Sequence, residues 1–188
     1  MQTEIEAKFL NINKVSIRGR LKDCGGKIVT PERLMRRSLG GENFRKGEWL
    51  RLRDEGDKVT LTFKSRRGET VDNTSEIEVE VSEFEATKLL LEKSGFHFFA
   101  YQENKRESWV LDNVQVEIDT WPGLQPHVEI EAKDEQTVRA AANKLGLEWG
   151  EACFKPADVL YAEENGISRQ AASEVFNNLR FDDDHPRH

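Results

Sequence analysis

The chain has 188 residues, enough for one domain with a sizeable hydrophobic core or for one domain plus a small appendage. Charged residues make up 34% of the sequence and the formal net charge is -7, which disfavours a broad basic surface for nucleic acid but not a local basic pocket. The N-terminus is charged, and no apolar run approaches the length of a membrane span. We therefore expect a protein that neither binds nucleic acid nor enters a membrane.

The cysteines indicate a reducing compartment. Cys24 and Cys153 have no CxxC or Cys/His spacing around them, so neither a metal site nor a redox motif is predicted. We interpret both as small apolar residues in a reduced, cytoplasmic protein.

The first predicted strand covers residues 1–10 and has two unlike faces. With a period of two, its charged face carries Glu4, Glu6 and Lys8, while the alternate residues are apolar. Polar-out alternation is ordinary for a half-solvated sheet, but such a strand needs only Thr, Ser or Gln on its wet side. Carboxylates and an ammonium group together suggest part of a site.

A helix is predicted next. Asn13 can cap it, the glycine pair at 25–26 ends it, and Val15, Ile17 and Leu21 recur on roughly one side. Further extended segments follow, interrupted by a turn-rich loop at 40–47, a hairpin connection at 54–57 and an unpatterned loop at 65–74. The predicted segments are 28–38, 49–53, 58–64 and 75–81.

The second half of the chain continues the pattern. Ser82 with Glu85 forms a predicted capping box for a helix that ends at Gly95, and Asp134 is predicted to cap a third helix. Strands are predicted at 98–110, 113–119 and 128–133, with a tight turn at 112–113. From residue 156 onward we expect two short helices and a disordered acidic tail.

This order predicts an α+β fold with an antiparallel sheet. The helices need an apolar surface, so the apolar faces of the strands should lie under them and the charged faces should look away. Seven or more twisted strands tend to curl and close, which would line an interior with charge. The acidic side chains expected there are Glu4, Glu6, Glu76, Glu78, Glu117, Asp119, Glu129 and Glu131.

Such an interior requires counter-charges, because confined carboxylates raise one another's pKa. Basic side chains supply some of them, and divalent cations could supply the rest. Phosphate chains suit this combination, since Arg and Lys bind phosphate directly while carboxylates reach it through Mg²⁺ or Mn²⁺. The basic side chains are Lys8, Arg51, Arg53, Lys64, Lys105 and Arg106.

These residues resemble a known family. The Glu4-x-Glu6-x-Lys8 motif is similar to the ExExK signature of the CYTH superfamily, the triphosphate tunnel metalloenzymes, which include class IV adenylate cyclases, thiamine triphosphatases and inorganic triphosphatases. Other segments occur in the family's order at similar spacings, so the resemblance covers residues 1 to about 160. These segments are Leu50-Arg51-Leu52-Arg53, Leu61-Thr62-Phe63-Lys64, Glu76-Ile77-Glu78-Val79-Glu80, Lys105-Arg106, Glu117-Ile118-Asp119 and Val128-Glu129-Ile130-Glu131.

The resemblance implies an antiparallel β-tunnel of about eight strands with helices outside, in which basic residues hold a triphosphate and acidic residues hold Mg²⁺ or Mn²⁺. It implies that Glu4 and Glu6 border a second metal position and orient a nucleophilic water, with Lys8 also catalytic. The implied phosphate-binding residues are Lys8, Arg51, Arg53, Lys64, Arg106 and, as a neighbour, Lys105. The implied metal ligands are Asp119, Glu129 and Glu131.

Other positions carry weaker expectations. Lys155 matches a basic residue near the leaving end of the substrate, although Pro156-Ala157 follows it where the family often has Ser-Tyr. Glu76 and Glu78 are assigned to the substrate site, with solvated edge charges as the alternative. We expect a tunnel domain at 1–166, followed by a C-terminal helix and the acidic tail at 167–188. That last segment could serve as a lid, a packing helix or a dimer contact.

Several residues have plainer interpretations. A surface role for Arg36 and Arg37 is as plausible as a phosphate contact, and Arg66 and Arg67 are interpreted as loop charges. His127 follows Pro126 and is interpreted as a loop histidine.

The leading hypothesis is metal-dependent hydrolysis of a triphosphate, either inorganic tripolyphosphate or a nucleoside triphosphate such as ATP. The alternatives are a class IV adenylate cyclase that makes cyclic AMP and a non-catalytic polyphosphate or nucleotide-binding module. We expect a small-molecule triphosphate as the partner, with neither nucleic acid nor a membrane. We expect either a monomer or a homodimer.

Overall fold

The structure is a computed structural model that describes residues 2–66 and 74–183. The side chains of residues 2–4, 66 and 74, which include Glu4 and Arg66, are not described. Most of the predicted loop at 65–74, including Arg67, lies outside the described residues, as does the acidic tail from Asp184 onward.

The described residues form nine strands and five α-helices, so the α+β prediction is confirmed. The strands are β1 (Gln2–Phe9), β2 (Lys27–Gly40), β3 (Glu48–Asp54), β4 (Val59–Arg66), β5 (Thr74–Val81), β6 (Phe98–Leu111), β7 (Val114–Thr120), β8 (His127–Ala132) and β9 (Asn178–Leu179). The helices are α1 (Lys14–Asp23), α2 (Phe84–Lys93), α3 (Glu135–Lys144), α4 (Ala157–Glu164) and α5 (Arg169–Phe176).

The sheet curls into a tunnel-like wall. Its strands run in the order β2-β3-β4-β5-β1-β8-β7-β6-β9, and β2 also pairs with β6. All pairs are antiparallel except β6 with β9. The β2–β6 pairing completes a circuit through eight strands, in which β1 meets β5 over only three residue pairs. The curled sheet is therefore tunnel-like, as the sequence predicted.

Helix caps and turns follow local chemistry. The side chain of Asn13 accepts a hydrogen bond from the Ser16 amide at 3.0 Å, and Asp134 caps α3 in the same way. The α2 prediction was wrong in detail, because Glu83 rather than Ser82 caps that helix and accepts from the Ala86 amide. The 112–113 turn joins β6 to β7 as predicted, with positive φ at both residues.

The main core lies between the outer faces of one half of the sheet and helices α1 and α3. Helix α3 packs against β1, β7 and β8, and α1 contributes Ile17 and Leu21. Val15 is 76% exposed, so its predicted place on the buried side was wrong.

The helices cover only part of the wall. Ile77 and Val79 on β5 were expected to be buried beneath a helix, but they are 57% and 53% exposed. The opposite face of the neighbouring β4 is buried at Thr60 and Thr62. On this side of the molecule the polar face of the sheet is the interior, which reverses the usual burial pattern of a half-solvated sheet.

The C-terminal segment packs against the tunnel. Helices α4 and α5 form a second core with Trp121 and Leu124, and β9 adds to the edge of β6. The short strand β9 and a 3-10 turn at Trp149–Glu151 were not predicted. None of the described helices combines the length and the apolar character that crossing a bilayer demands.

Candidate functional site

Strand register brings the predicted charges to one face. Residues directly opposite in antiparallel strands share a face, and β1 places Lys8 opposite Glu129 of β8. The β4–β5 pairing places Lys64 opposite Glu76 in the same way. Further opposed pairs on this inner face are Glu6–Glu131, Thr62–Glu78, Glu117–Glu129, Arg106–Asp119 and Arg37–Arg53. Side chains from all eight strands of the circuit therefore can meet in the interior.

The first group of contacts joins side chains of β1, β6, β7 and β8. It consists of Lys8, Arg106, Asp119 and Glu129. The Arg106 Nε lies 2.8 Å from Asp119 Oδ1, and Arg106 Nη2 contacts Asp119 Oδ2 and also Glu129 Oε2 at 2.5 Å. The Lys8 Nζ lies 3.4 Å from Glu129 Oε1 and 2.5 Å from Glu6 Oε1. Cations and carboxylates from four strands thus pair with one another.

Electrostatics hold Glu129 and Lys8 of this cluster ionised. Burial by itself would raise the pKa of Glu129, but Lys8 and Arg106 outweigh it and hold that pKa well below its ordinary value. Burial would likewise lower the pKa of Lys8, yet Glu129 and Glu6 raise it. The neighbouring Glu117 differs, because burial raises its pKa and outweighs the attraction of Arg106.

A second group of contacts is formed by side chains of β3, β4 and β5. This β3–β5 cluster consists of Arg51, Thr62, Lys64, Glu76 and Glu78. The Lys64 Nζ lies 2.9 Å from Glu76 Oε2, and Thr62 donates its hydroxyl to Glu78 Oε2 at 2.7 Å. The guanidinium of Arg51 lies 3.5 Å from the same Glu78 oxygen. The structure thus places both glutamates beside the predicted phosphate-binding residues.

Arg37 lies inside the tunnel. From the sequence alone, a surface position was as plausible as a phosphate contact. Its guanidinium donates to Asn104 Oδ1. Burial is the main reason that its pKa is lowered well below the ordinary arginine value, and repulsion from Arg51, Arg53 and Arg106 adds to the effect. Arginine side chains from three different strands therefore place positive charge around one space.

The ring of Trp121 packs against the guanidinium group of Arg37. The guanidinium carbon of Arg37 lies 4.5 Å from the centroid of the Trp121 ring, and that ring stacks on Phe176 of α5. The C-terminal segment therefore supports an arginine of the tunnel.

Arg33 and Glu55 were missed by the sequence analysis. Arg53 pairs with Glu55 Oε1, and Arg33 reaches Glu55 Oε2 at 3.4 Å and Ser108 Oγ at 3.2 Å. Glu55 belongs to a hairpin connection, where charge is normally solvated, so the sequence carried no signal that it would be buried.

His127 was also missed, and the expectation of a loop histidine was wrong. It is the first residue of β8 and is 2% exposed. Its Nε2 lies 3.9 Å from Asp119 Oδ2 and 3.8 Å from Glu129 Oε1, and that nitrogen has no hydrogen-bond partner among the described residues. The parity of β8, in which 127, 129 and 131 share a face, was the available signal.

Two predicted basic residues lie away from these groups. Lys105 is on the outer face of β6, where its Nζ lies 4.7 Å from the ring centroid of Phe181. Lys155 is half exposed and pairs with Glu163 at 2.7 Å. Glu131 is partly buried opposite Glu6, and the side chain of Glu4 is not described.

The donor set fits a divalent metal ion. One ligand atom each from Asp119, His127 and Glu129 lies within 4.8 Å of the others, among the described residues. Two carboxylates with an imidazole nitrogen are ligands that divalent cations accept in proteins. A metal ion would give the buried Nε2 of His127 the partner that the described part of the chain does not provide.

Comparison with known proteins gives the family. Residues 2–151 match the CYTH domain. A Methanocaldococcus jannaschii protein named "Putative adenylate cyclase" is 28% identical over 135 residues, which cover 70% of this chain and 76% of that protein.

Solved structures share the fold. A Pyrococcus horikoshii protein superposes with a TM-score of 0.71 at 22% identity, covering 84% of this chain and 98% of the other. A Hippeastrum protein, described as a "putative adenylyl cyclase" with a dominant triphosphatase activity, superposes with a TM-score of 0.54 at 15% identity, covering 89% and 97%.

The tunnel with its opposed charges and the domain match together define the class: this chain belongs to the CYTH family. Proteins of this family are metal-dependent enzymes that act on small triphosphate substrates.

Proposed function

We propose that this protein is a metal-dependent triphosphatase whose substrate is inorganic tripolyphosphate or a nucleoside triphosphate. The observation that carries the proposal is the environment of Arg37, whose positive charge is disfavoured by burial and by Arg51, Arg53 and Arg106. A polyanion between these side chains would relieve that repulsion, and a triphosphate offers several charges along one chain.

The basic side chains have a positioning role in this proposal. The Arg37, Arg51, Arg53 and Arg106 guanidinium groups and the Lys64 ammonium group would bind successive phosphate oxygens and hold the chain in line for attack. Contacts within the protein occupy these cations in the structure described here. The phosphates would take over part of those contacts, which leaves carboxylate oxygens available.

Lys8 and Glu6 have the chemical role. Glu6 would accept a hydrogen bond from a water molecule and receive its proton while the water oxygen attacks the terminal phosphorus. The Lys8 ammonium, fixed between Glu6 and Glu129, would bind an oxygen of the transferring phosphoryl group. The bond between that phosphorus and the bridging oxygen breaks, and orthophosphate and the shortened chain leave.

The metal site comprises Asp119, Glu129 and Glu131, with Glu4 and Glu6 as the border of a second position. A bound Mg²⁺ or Mn²⁺ would draw charge from the phosphate oxygens and lower the pKa of water. The carboxylate of Glu129 remains ionised because Lys8 and Arg106 lower its pKa, so it is ready to bind a cation.

Adenylate cyclase activity is the second candidate, since the curated relative from Methanocaldococcus jannaschii bears that name. In that reaction the ribose 3′-hydroxyl replaces water and attacks the α-phosphorus, and pyrophosphate leaves. We favour hydrolysis, because the groups in the tunnel recognise phosphate, and the Hippeastrum relative in fold is described by its triphosphatase activity.

The decisive experiment incubates the purified protein with tripolyphosphate, ATP or thiamine triphosphate, each with Mg²⁺ or Mn²⁺. Orthophosphate, pyrophosphate and cyclic AMP are then resolved. We expect orthophosphate release, and we expect Lys8→Ala to lower turnover by on the order of 10²-fold or more, because Lys8 contacts the transition state.

Lys144→Ala is the matched control, since Lys144 is an exposed lysine paired with Asp112 on the protein surface. It should turn over like the wild type. Cyclic AMP as the main product from ATP would assign the cyclase instead. Binding of tripolyphosphate without any product would assign a non-catalytic polyphosphate-binding module.

The proposal extends to the setting of the enzyme. Both cysteines are free thiols, which supports a reducing, cytoplasmic location. The division into a tunnel domain at 1–166 and a C-terminal helix and tail at 167–188 is retained as a proposal, as is a monomer or homodimer.

A further inference from the structure

The feature that the proposed mechanism leaves unused is the buried imidazole of His127. A histidine with 2% exposure normally has hydrogen-bond partners for its ring nitrogens, since an unsatisfied buried polar atom costs about 1–3 kcal/mol. Nε2 of His127 has none among the described side chains and backbone groups. It faces Asp119 Oδ2 at 3.9 Å and Glu129 Oε1 at 3.8 Å, which is beyond hydrogen-bond distance.

These distances fit ligands of a single ion better than they fit hydrogen bonds. Atoms that share an ion through bonds of about 2.1 Å lie no more than about 4.2 Å apart, and both of the His127 distances are within that limit. The three side chains stand on adjacent paired strands, with Asp119 directly opposite His127. The backbone thus fixes their relative positions.

We propose that His127 is a nitrogen ligand of the metal in the tunnel and gives the site a preference for a first-row transition-metal ion, such as Mn²⁺, over Mg²⁺. Mg²⁺ favours oxygen ligands in strict octahedral geometry, whereas imidazole nitrogen raises affinity for transition-metal ions. The inference rests on the proposed function only in that both place a metal ion in this tunnel.

Existing contacts of the carboxylates set the conditions for binding. Asp119 accepts from Arg106 and from Asn104 Nδ2 at 3.0 Å, and Glu129 contacts Arg106 and Lys8. Each carboxylate oxygen can accept more than one partner, so the ion adds to these contacts or displaces part of them. The nearby cations lower the affinity for any divalent ion, and the nitrogen ligand restores it selectively.

The test measures metal binding without any triphosphate. Chelator-treated protein is titrated with Mn²⁺, and free Mn²⁺ is followed by electron paramagnetic resonance with Mg²⁺ as competitor. Pulsed measurements on the bound ion then detect coupling to ¹⁴N. We expect nitrogen coupling in the wild type, and in His127→Gln we expect its loss together with an about 10- to 100-fold weaker Mn²⁺ affinity.

His97→Gln is the matched control, because His97 is an exposed histidine outside the tunnel. It should keep both the coupling and the affinity, and in His127→Gln the Mg²⁺ affinity should change far less than the Mn²⁺ affinity. The wild-type coupling does not depend on how well a variant folds. Its absence, or an unchanged preference for Mn²⁺ over Mg²⁺ in folded His127→Gln, overturns the inference.

The outcome is separable from that of the proposed function. Nitrogen-coupled Mn²⁺ in a protein that hydrolyses no triphosphate supports the ligand and rejects the reaction. Hydrolysis with Mg²⁺ and Mn²⁺ alike, without nitrogen coupling, supports the reaction and rejects His127 as a ligand.

Discussion

At the scale of single residues, the tunnel places like groups in unlike environments. Glu117 and Glu129 lie opposite each other on β7 and β8, yet the pKa of Glu117 is raised and that of Glu129 is lowered. The difference follows from the partners. Lys8 and Arg106 contact Glu129, while one oxygen of Glu117 has no hydrogen-bond partner among the described residues.

Glu117→Gln should therefore change how stability depends on pH. Burial raises the folded-state pKa of Glu117, so the native state holds its proton more tightly than the unfolded state. Its contribution to stability is present at low pH and is lost as the pH rises from its unfolded pKa of about 4.5 through the folded one. Above that window we expect Glu117→Gln to be more stable than the wild type by on the order of 1 kcal/mol.

Urea unfolding at several pH values between 4 and 8 measures this difference. It should shrink toward the acidic end, while Glu151→Gln, which alters an exposed glutamate, should show no such trend. A Glu117→Gln variant that is less stable than the wild type at neutral pH would contradict the assignment.

At the scale of elements, the C-terminal helix α5 is part of the folded core. Phe176 is buried, stacks on Trp121 with ring centroids 5.7 Å apart, and meets the edge of Tyr161 at 5.4 Å. Gln102 on β6 also donates to the Phe176 carbonyl at 2.8 Å. The helix is thereby attached to the tunnel through both aromatic packing and hydrogen bonding.

Phe176→Ala should lower the free energy of unfolding by about 3–5 kcal/mol, because it removes a buried ring and leaves a cavity. Phe99→Ala is the matched change at a ring that is 41% exposed, and it should cost less than about 1 kcal/mol. Denaturant unfolding of both variants checks the contrast. A cost for Phe176→Ala as small as that expected for Phe99→Ala would mean that α5 contributes little to the stability of the tunnel.

At the scale of the whole molecule, the chain has a negative net charge, whereas the arginines of the tunnel are positive. The chain carries a formal net charge of -7, while Arg51, Arg53 and Arg106 repel Arg37 inside the tunnel. A polyanion that binds the tunnel of the folded protein, and not the unfolded chain, should stabilise the protein by mass action. The acidic exterior should keep nucleic acid away.

Tripolyphosphate without added metal should raise the melting temperature, by an amount equivalent to about 2.7 kcal/mol at a concentration 100 times its dissociation constant. Arg37→Met should reduce that gain, because it removes a cation that faces the anion. Arg139→Met, at a half-exposed arginine on α3, should retain the full gain. Melting curves at matched ionic strength test this, and a gain unaffected by Arg37→Met would exclude Arg37 from the anion site.

The sequence by itself determined the strands and their faces. Alternation depends only on the backbone repeat of two, so it placed Lys8 and Glu129 on strands with the correct parity. It also predicted caps at Asn13 and Asp134, because capping is a contact between residues three positions apart.

Tertiary structure decided what could not be local. Arg37 became an interior group because β2 pairs with β6, and strand partners that distant in sequence leave no periodic signal. His127 became one because β8 begins at that residue, so that it shares the inward face of Glu129. Lys105 and Arg106 were both expected inside, although successive residues of a strand point to opposite faces. The pairing of β6 with β7 decided that Arg106 is the inward residue and Lys105 the outward one. The charges could be read from the sequence, but only the closing of the sheet determined which of them face one another.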